Sequence, residues 1–274
     1  MSIRLALVAT FALLAFTNSN AQESADGWQF QLTPYLWLPT IGGDLNFSPP
    51  PGGGGAPVID VGPTDWLELL NGALLLNGGV RNGQYSLTAD IVYLGLESDK
   101  DHINAVRDGT VIPVDVSLNV ATKSNFDGVS WTLAAGYALQ DSEKSFMEVI
   151  GGVRYFGVDV RIRWNLELDV TAPGGSVILP AQGSLEEKVD LWDAIIGIRG
   201  NVKLGDGKWS VPYYADVGTG SSDRTWQALA GISYAYNWGE LMLAYRHLAY
   251  DEGSDGILQD FSFSGPGLGA RFRF

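Results

Sequence analysis

The chain contains no cysteine, so it has no disulfide framework, thiol nucleophile or cysteine-linked lipid anchor. Histidine is almost as scarce, with His102 and His247 alone. Hydrolytic chemistry needs a base set beside a nucleophile, and two imidazoles leave little to build one from. Basic residues number 17 against 31 acidic ones, a formal net charge of −14. That balance argues against nucleic acid as a partner, because phosphates demand basic surface. Long apolar runs are also missing: none approaches the ~20 residues a helix needs to cross a bilayer. What is abundant is glycine, tryptophan, tyrosine and phenylalanine. This mix suits strands, tight turns and interfacial aromatic belts better than helices.

Residues Met1 to Ala21 join a single basic residue, Arg4, to an uncharged apolar run from Leu5 to Phe16 and a polar stretch from Thr17 to Ala21. That is the pattern of a secretory signal peptide. Ser19 and Ala21 are the small residues a signal peptidase reads, so cleavage is expected after Ala21. An N-terminal membrane anchor is the alternative, for which the apolar run is short. Residues 22–274 then make one domain, since β-barrels reach that size as one unit and neither linker nor composition shift divides them.

From Trp28 onward the chain alternates with period two. Tyr85, Leu87, Ala89, Ile91 and Tyr93 share one face, with Ser86, Thr88 and Asp90 on the other. Val129, Trp131, Leu133, Ala135, Tyr137 and Leu139 oppose Ser130, Thr132, Ala134, Gly136 and Ala138. The segment Trp226 to Trp238 repeats the pattern. A secreted sandwich or lipocalin-like barrel would alternate too, with its apolar face inward. Its polar face, however, would carry many Lys, Glu and Arg, whereas here that face is mostly Gly, Ala, Ser and Thr, which fit a narrow lumen. Aromatics also mark both ends of the apolar stripe. Trp226 to Trp238 spans roughly 40 Å along a strand, or ~30 Å of height at a ~40° tilt, the thickness of a hydrocarbon slab. Trp28, Trp131, Tyr137, Trp226 and Trp238 are the candidate girdle residues.

Connections alternate in length. Arg81 to Gln84, Gln140 to Lys144, Leu204 to Lys208 and Asn237 to Glu240 are short turns, assigned to the periplasm; Thr40 to Asn71, Ser98 to about Phe126, Asp159 to Glu187 and Asp251 to Asp260 are long and assigned outside, with a shorter one at Gly220 to Asp223. The fold expected is an all-β, transmembrane, antiparallel up-and-down barrel of about ten strands. Eight or twelve remain open, because Val114 to Val120 is either a separate strand or an outer extension of its neighbour. A projecting β-hairpin is expected around Pro173-Gly174-Gly175, and a change of phase in the alternation near Phe156-Gly157 predicts a bulge there. Pro49 to Pro51 and the glycines after them are low-complexity. Thr64-Asp65 would cap a short helix carrying Trp66, Leu67, Leu69 and Leu70, set against a plain strand shoulder.

The last strand ends Gly267-Leu268-Gly269-Ala270-Arg271-Phe272-Arg273-Phe274. Gly269, Phe272 and Phe274 resemble the β-signal read by the barrel assembly machinery, which captures an unpaired strand edge; Gly267 stands where a polar residue is usual. Seven segments together resemble a family of largely uncharacterised bacterial outer-membrane β-barrel proteins: Thr33-Pro34-Tyr35-Leu36-Trp37, Asp90 with Tyr93, Trp192-Asp193 with Gly197-Ile198-Arg199, Tyr214 to Gly218, Ser222 to Gln227, Tyr245 to Leu248, and Gly265 to Gly269. They cover most of residues 22–274. Ala194 departs from the pattern, where Pro is expected. The resemblance implies the barrel fold and a Gram-negative outer-membrane location, and no defined activity.

On this register Asp90, Glu148, Arg154, Asp193, Arg199, Asp216, Arg246, Arg271 and Arg273 point into the lumen. Buried charges persist only when paired or hydrated, so they form either a structural ion-pair network or a polar constriction for small ions or solutes. His102 sits among Glu97, Asp99, Asp101 and Asp108, a mixture resembling that of outer-membrane proteases; His247 lies near the outer end of a strand, beside Tyr245 and Tyr250. Glu186, Glu187, Asp251, Glu252 and Asp255 could bridge lipopolysaccharide through divalent cations, yet lack the spacing of a calcium loop. Pro34 and Pro266 fall in the first and last strands, each without an amide donor, and so weaken the closing seam; either it opens sideways for an apolar ligand or, as is more usual, the prolines mark bulges or outward-facing edge positions. The function expected is a structural or surface-interaction barrel without catalysis, metal or cofactor. Its partners would be outer-membrane lipid, lipopolysaccharide and the assembly machinery, and it would act as a monomer. The alternatives are a narrow channel and a loop-based hydrolase.

Overall fold

The computed structural model describes residues 27–45, 58–106, 115–172, 175–251 and 258–274. The expected signal peptide, the Pro-Gly-rich stretch after Pro49, Asp108, the Pro173-Gly174 tip, Glu252 and Asp255 lie outside them. The strands are β1 (Trp28–Trp37), β2 (Thr40–Leu45), β3 (Val58–Val61), β4 (Leu70–Asn82), β5 (Tyr85–Val106), β6 (Asp115–Asp141), β7 (Ser145–Ala172), β8 (Gly175–Lys203), β9 (Trp209–Gly220), β10 (Arg224–Tyr236), β11 (Gly239–Asp251) and β12 (Leu258–Arg273), with one short helix, α1 (Pro63–Leu67). Ten of the strands, β1 and β4 to β12, pair antiparallel in sequence order and close through β1 on β12. Closure gives each membrane-spanning strand a partner on both sides, which a bilayer demands of any backbone within it.

Alternation decides which side of the wall is wet. Thr88, Thr132, Ala134 and Ser233 are buried in the lumen, while their neighbours Leu87, Leu133 and Ile232 stand outside. The outer wall is apolar all round: Leu36, Ile196, Leu243 and Val217 are each more than half exposed. At about 25 cal/mol per Å² such a belt would be strongly unfavourable against water, so this face belongs to lipid. Aromatic rings bound it at both ends. On the outer side Trp131 pairs with Tyr155 and Tyr155 with Trp192 across three strands, their ring centroids 5.8 and 4.8 Å apart, while Trp226 lies further round the wall. At the other end Tyr85 meets Tyr137 at 5.4 Å, and Trp209, Tyr234, Tyr236, Trp238 and Phe272 form a chain of ring contacts. Trp28 stands exposed at that same end.

The short turns fall where the sequence put them, at the Trp238 end. Gly83 adopts φ 56° and Gly205 φ 65° there, backbone conformations that side chains disfavour and tight turns require. Two of the long connections are paired outer extensions, one of the two forms left open for the first and the form expected for the second. Between Ser98 and Phe126 the described residues extend β5 and β6 outward, paired out to Val106 opposite Ser117, and among them no further barrel strand arises. β7 and β8 stay paired to Ala172 opposite Gly175, which is the projecting hairpin. Together β5 to β8 carry a four-stranded sheet beyond the outer girdle. The bulge expected at Phe156-Gly157 is absent, since the register runs unshifted through both residues on either side. The alternation never changes phase: Phe156 and Val158 point inward like Arg154, and it is the lumen that turns from polar to apolar.

The closing seam keeps a single register from Gln31 opposite Arg273, through Trp37 opposite Gly267, to Thr40 opposite Ser264 on β2. Regular pairing lapses at Thr33-Pro34 and at Leu38-Pro39, where one amide bond, Leu38 N to Pro266 O at 3.0 Å, persists. Both Pro34 and Pro266 turn their rings outward, and each leaves one amide donor out of the seam. The real parting of the wall lies on the other flank of β1, whose pairing with β4 stops at Pro34 opposite Leu76. Beyond that point β2 takes β3 as its neighbour and α1 bridges toward β4. Gly62, not Thr64, precedes α1, with its amide donating to the Asp65 carboxylate at 3.1 Å and Pro63 at the first helical position. Trp66, 2% exposed, donates its indole to Pro39 O at 2.8 Å, while Leu70 opens β4.

Candidate functional site in the lumen

The inward positions of the ten strands stack into three levels of different chemistry. Nearest the short turns, Arg199 pairs with Glu148, Ser86 donates to the same carboxylate at 2.7 Å, and Arg271 and Arg273 share Glu240 at 3.2 and 2.6 Å. Gly136 makes room for this level: a Cβ there would lie 2.3 Å from the Ser86 hydroxyl and 2.7 Å from the Glu148 carboxylate.

The middle level is buried and almost fully hydrogen-bonded. Arg154, at 0% exposure, pairs with Asp216 and donates to Thr132 at 3.3 Å and Thr225 at 3.2 Å. Arg246 bonds Asp90 at 3.0 Å, the Tyr35 hydroxyl at 3.0 Å and Gln227 at 2.8 Å, and lies over the Trp37 ring. Asp193 takes the amide and hydroxyl of Ser222 at 3.0 and 2.6 Å, clamping the turn between β9 and β10 against the lumen. Removing charges from water costs several kcal/mol each, recovered only with close partnering of this kind; Asp216 Oδ1 and Arg246 Nε are the atoms of these pairs left without a hydrogen bond.

Above this level the buried inward side chains turn apolar. Trp37, Leu75, Val92, Phe156, Val158, Leu191, Leu248, Tyr250 and Phe261 form one buried cluster. Phe156 touches both Tyr250 and Phe261 at 4.9 Å between centroids. A cavity of about 900 Å³ fills the opposite end, lined by residues such as Ser86, Arg199, Ser210, Met242 and Arg271, and it ends beneath Tyr35, Trp37, Asp90 and Arg246. The barrel is therefore a cup, open at the short turns and stopped by an ion-pair floor backed with aromatic rings.

All nine charged residues assigned to the lumen from the alternation lie on its inner face. They form separate groups, Arg154 with Asp216, Arg246 with Asp90, and Arg199 with Glu148, instead of one network; Asp193 stands with Ser222, and Arg271 and Arg273 with Glu240. Tyr35, Gln227, Glu240 and the whole apolar cluster were missed. Each occupies an inward alternation position, which is the signal that finds them; Glu240 adjoins a tight turn in sequence, and the large apolar Phe156 and Val158 on the inward face imitate a change of phase. Of the assembly-signal residues, Phe272 and Phe274 stand on β12 and at its end, with Phe274 and Phe30 exchanging backbone bonds at 2.9 and 3.1 Å, while Gly269 opposes Tyr35.

The histidines lie on strands that are not neighbours in the barrel. His102 falls at the register break of β5 between Lys100 and Ile103. His247 faces lipid on β11, against the Trp226 ring at 4.4 Å and in contact with the Ser264 hydroxyl at 2.5 Å; Tyr245 shares its face and Tyr250 points inward. Among the described residues no three His, Asp or Glu group as metal ligands. Glu186 and Asp251 instead engage Arg161 and Arg224. Above the outer girdle, Glu186 and then Asp159 raise the Arg161 guanidinium above its usual range. The Tyr155 hydroxyl, followed by Lys188, holds the Asp190 carboxyl below the ordinary carboxylate range.

No family model matches the chain, and no curated protein matches its sequence. Among solved structures, the outer membrane protease OmpT from Escherichia coli aligns over 93% of this chain and 100% of its own, at 9% identity and a TM-score of 0.49. The transport unit of the autotransporter AIDA-I from Escherichia coli aligns over 99% and 98%, at 12% identity and 0.32. The Pseudomonas putida toluene transporter TodX aligns over 91% and 90%, at 11% identity and 0.34.

Proposed function

We propose that this chain is an outer-membrane barrel of a Gram-negative bacterium, of the largely uncharacterised family its segments resemble, serving a structural or surface-interaction role without conduction or catalysis. The observation that carries this reading is the stopped lumen. An ion crossing the barrel would have to displace the Arg154 and Arg246 pairs and then traverse a packed aromatic layer, where an unpaired charge is prohibitively costly. The part offered to partners is the sheet that β5 to β8 raise above the outer girdle. The lipid-facing setting of His247 supports the non-catalytic reading. The same proposal has residues 1–21 removed on export, the Phe272-Phe274 end read by the assembly machinery, lipid and lipopolysaccharide as surroundings, and a monomer as the working unit. Planar-bilayer recording of the refolded chain tests it: a silent membrane is expected, and reproducible single-channel steps that change with Arg154→Ala or Arg246→Ala would establish the channel instead. Activity against peptides or lipid A that disappears with His102→Ala would establish the hydrolase.

A further inference from the structure

The mouth of the cup has a polarity that pairing distances alone do not reveal. Of the five charged side chains in its lower level, the two carboxylates are the concealed ones: the Glu148 side chain is 1% exposed and that of Glu240 is 10%. The three guanidiniums keep more open surface, 19% for Arg199, 21% for Arg271 and 58% for Arg273. All three line the cavity. A solute entering from the short-turn end therefore meets guanidinium first, with carboxylate behind it. Three positive charges face two negative ones, and Arg199 and Arg273 lie close enough to Arg271 to repel it. The Arg271 Nε is buried without an acceptor, so this level is short of hydrogen-bond acceptors as well as of negative charge. At the rim, exposed Lys203 and Lys208 stand beside exposed Glu143, while Arg81 is taken by Asp141. This is an island of positive charge in a chain of net charge −14.

We propose that the lower level is a binding site for one small oxyanion, of the phosphate or carboxylate class, entering from the periplasm. Planar guanidinium forks match the paired oxygens of such a group. The ligand supplies the negative charge that Glu148 and Glu240 leave short, and Arg273, the most open of the three, is its first contact. The proposal takes its direction of entry from the outer-membrane reading above.

The test is calorimetric titration of the folded full chain, in maltoside detergent free of phosphate, with inorganic phosphate and separately with succinate at fixed ionic strength. Saturable binding of at least one anion is expected. Arg273→Gln or Arg271→Gln should weaken it about tenfold, the loss of one charge-assisted hydrogen bond, and Arg161→Gln, above the outer girdle, should leave it unchanged. Glu240→Gln, which removes the competing carboxylate, should strengthen it, and this variant keeps the test open if Arg271→Gln fails to fold. Binding of a short-chain phosphatidylglycerol in place of the free anions supports the same site with a lipid headgroup as the source. No saturable binding by any of the three, or binding indifferent to both Arg273→Gln and Glu240→Gln, overturns the proposal. Conductance plays no part in this readout, so a conducting barrel would sink the stopped-lumen reading and leave the anion site to be judged by itself.

Discussion

The lower and outer halves of the lumen are framed by neighbouring stretches of the same strands, yet one holds a cavity of about 900 Å³ and the other a cluster of buried aromatic and aliphatic side chains. On β7 the inward series runs Glu148, Ile150, Gly152, Arg154, Phe156, Val158; on β11 it runs Glu240, Met242, Ala244, Arg246, Leu248, Tyr250. Both pass from a carboxylate through one larger and one small residue, Ile150 and Gly152 or Met242 and Ala244, and a buried arginine to large apolar groups. The small side chain below each arginine and the large ones above it set the two regimes apart, and the arginines sit where these meet. Geometry is shared and side-chain volume is not, so the contents of a barrel follow from its inward residues far more than from its strand number.

The largest effect is expected at the boundary. Arg154→Ala leaves Asp216 buried and uncompensated, and should cost about 3–5 kcal/mol in reversible unfolding from lipid vesicles. Arg154→Met combined with Asp216→Leu should return most of that loss, since an apolar pair of similar volume needs no compensation; failure to recover would show that the boundary needs charge. Phe156→Ala, in the apolar half, should cost at the lower end of the about 3–5 kcal/mol typical of such truncations, read in the same assay. Trp66→Phe keeps the ring and drops the bond to Pro39 O, for about 1 kcal/mol, with faster digestion by added protease near α1 as its signature. Arg161→Gln, exposed on the projecting sheet, should not shift the unfolding midpoint.

Much of the wall was legible in the sequence because period-two alternation is geometric. Ser86, Thr88 and Asp90 had to share a face, the four short turns marked strand ends, and the Trp226–Trp238 spacing gave the height of the slab. Contents of the lumen were less legible. An inward Phe156 and an outward one are the same letter, and only a register fixed by neighbouring strands tells them apart. The charge partners were hidden for a related reason: Tyr35 and Arg246 lie 211 positions apart in sequence and meet only when the barrel closes. At α1, local rules competed, and Pro63 with Gly62 set the start ahead of Thr64.

Because the chain lacks cysteine, a single introduced thiol reports its surroundings without background. Met242 and Leu248 both point inward on β11, six residues apart, one on the cavity and the other in the aromatic cluster. With a membrane-impermeant thiol reagent applied to the folded barrel, Met242→Cys should label readily and Leu248→Cys only after unfolding. Equal labelling of both would mean that water runs the length of the lumen, and the divided barrel described here would be wrong.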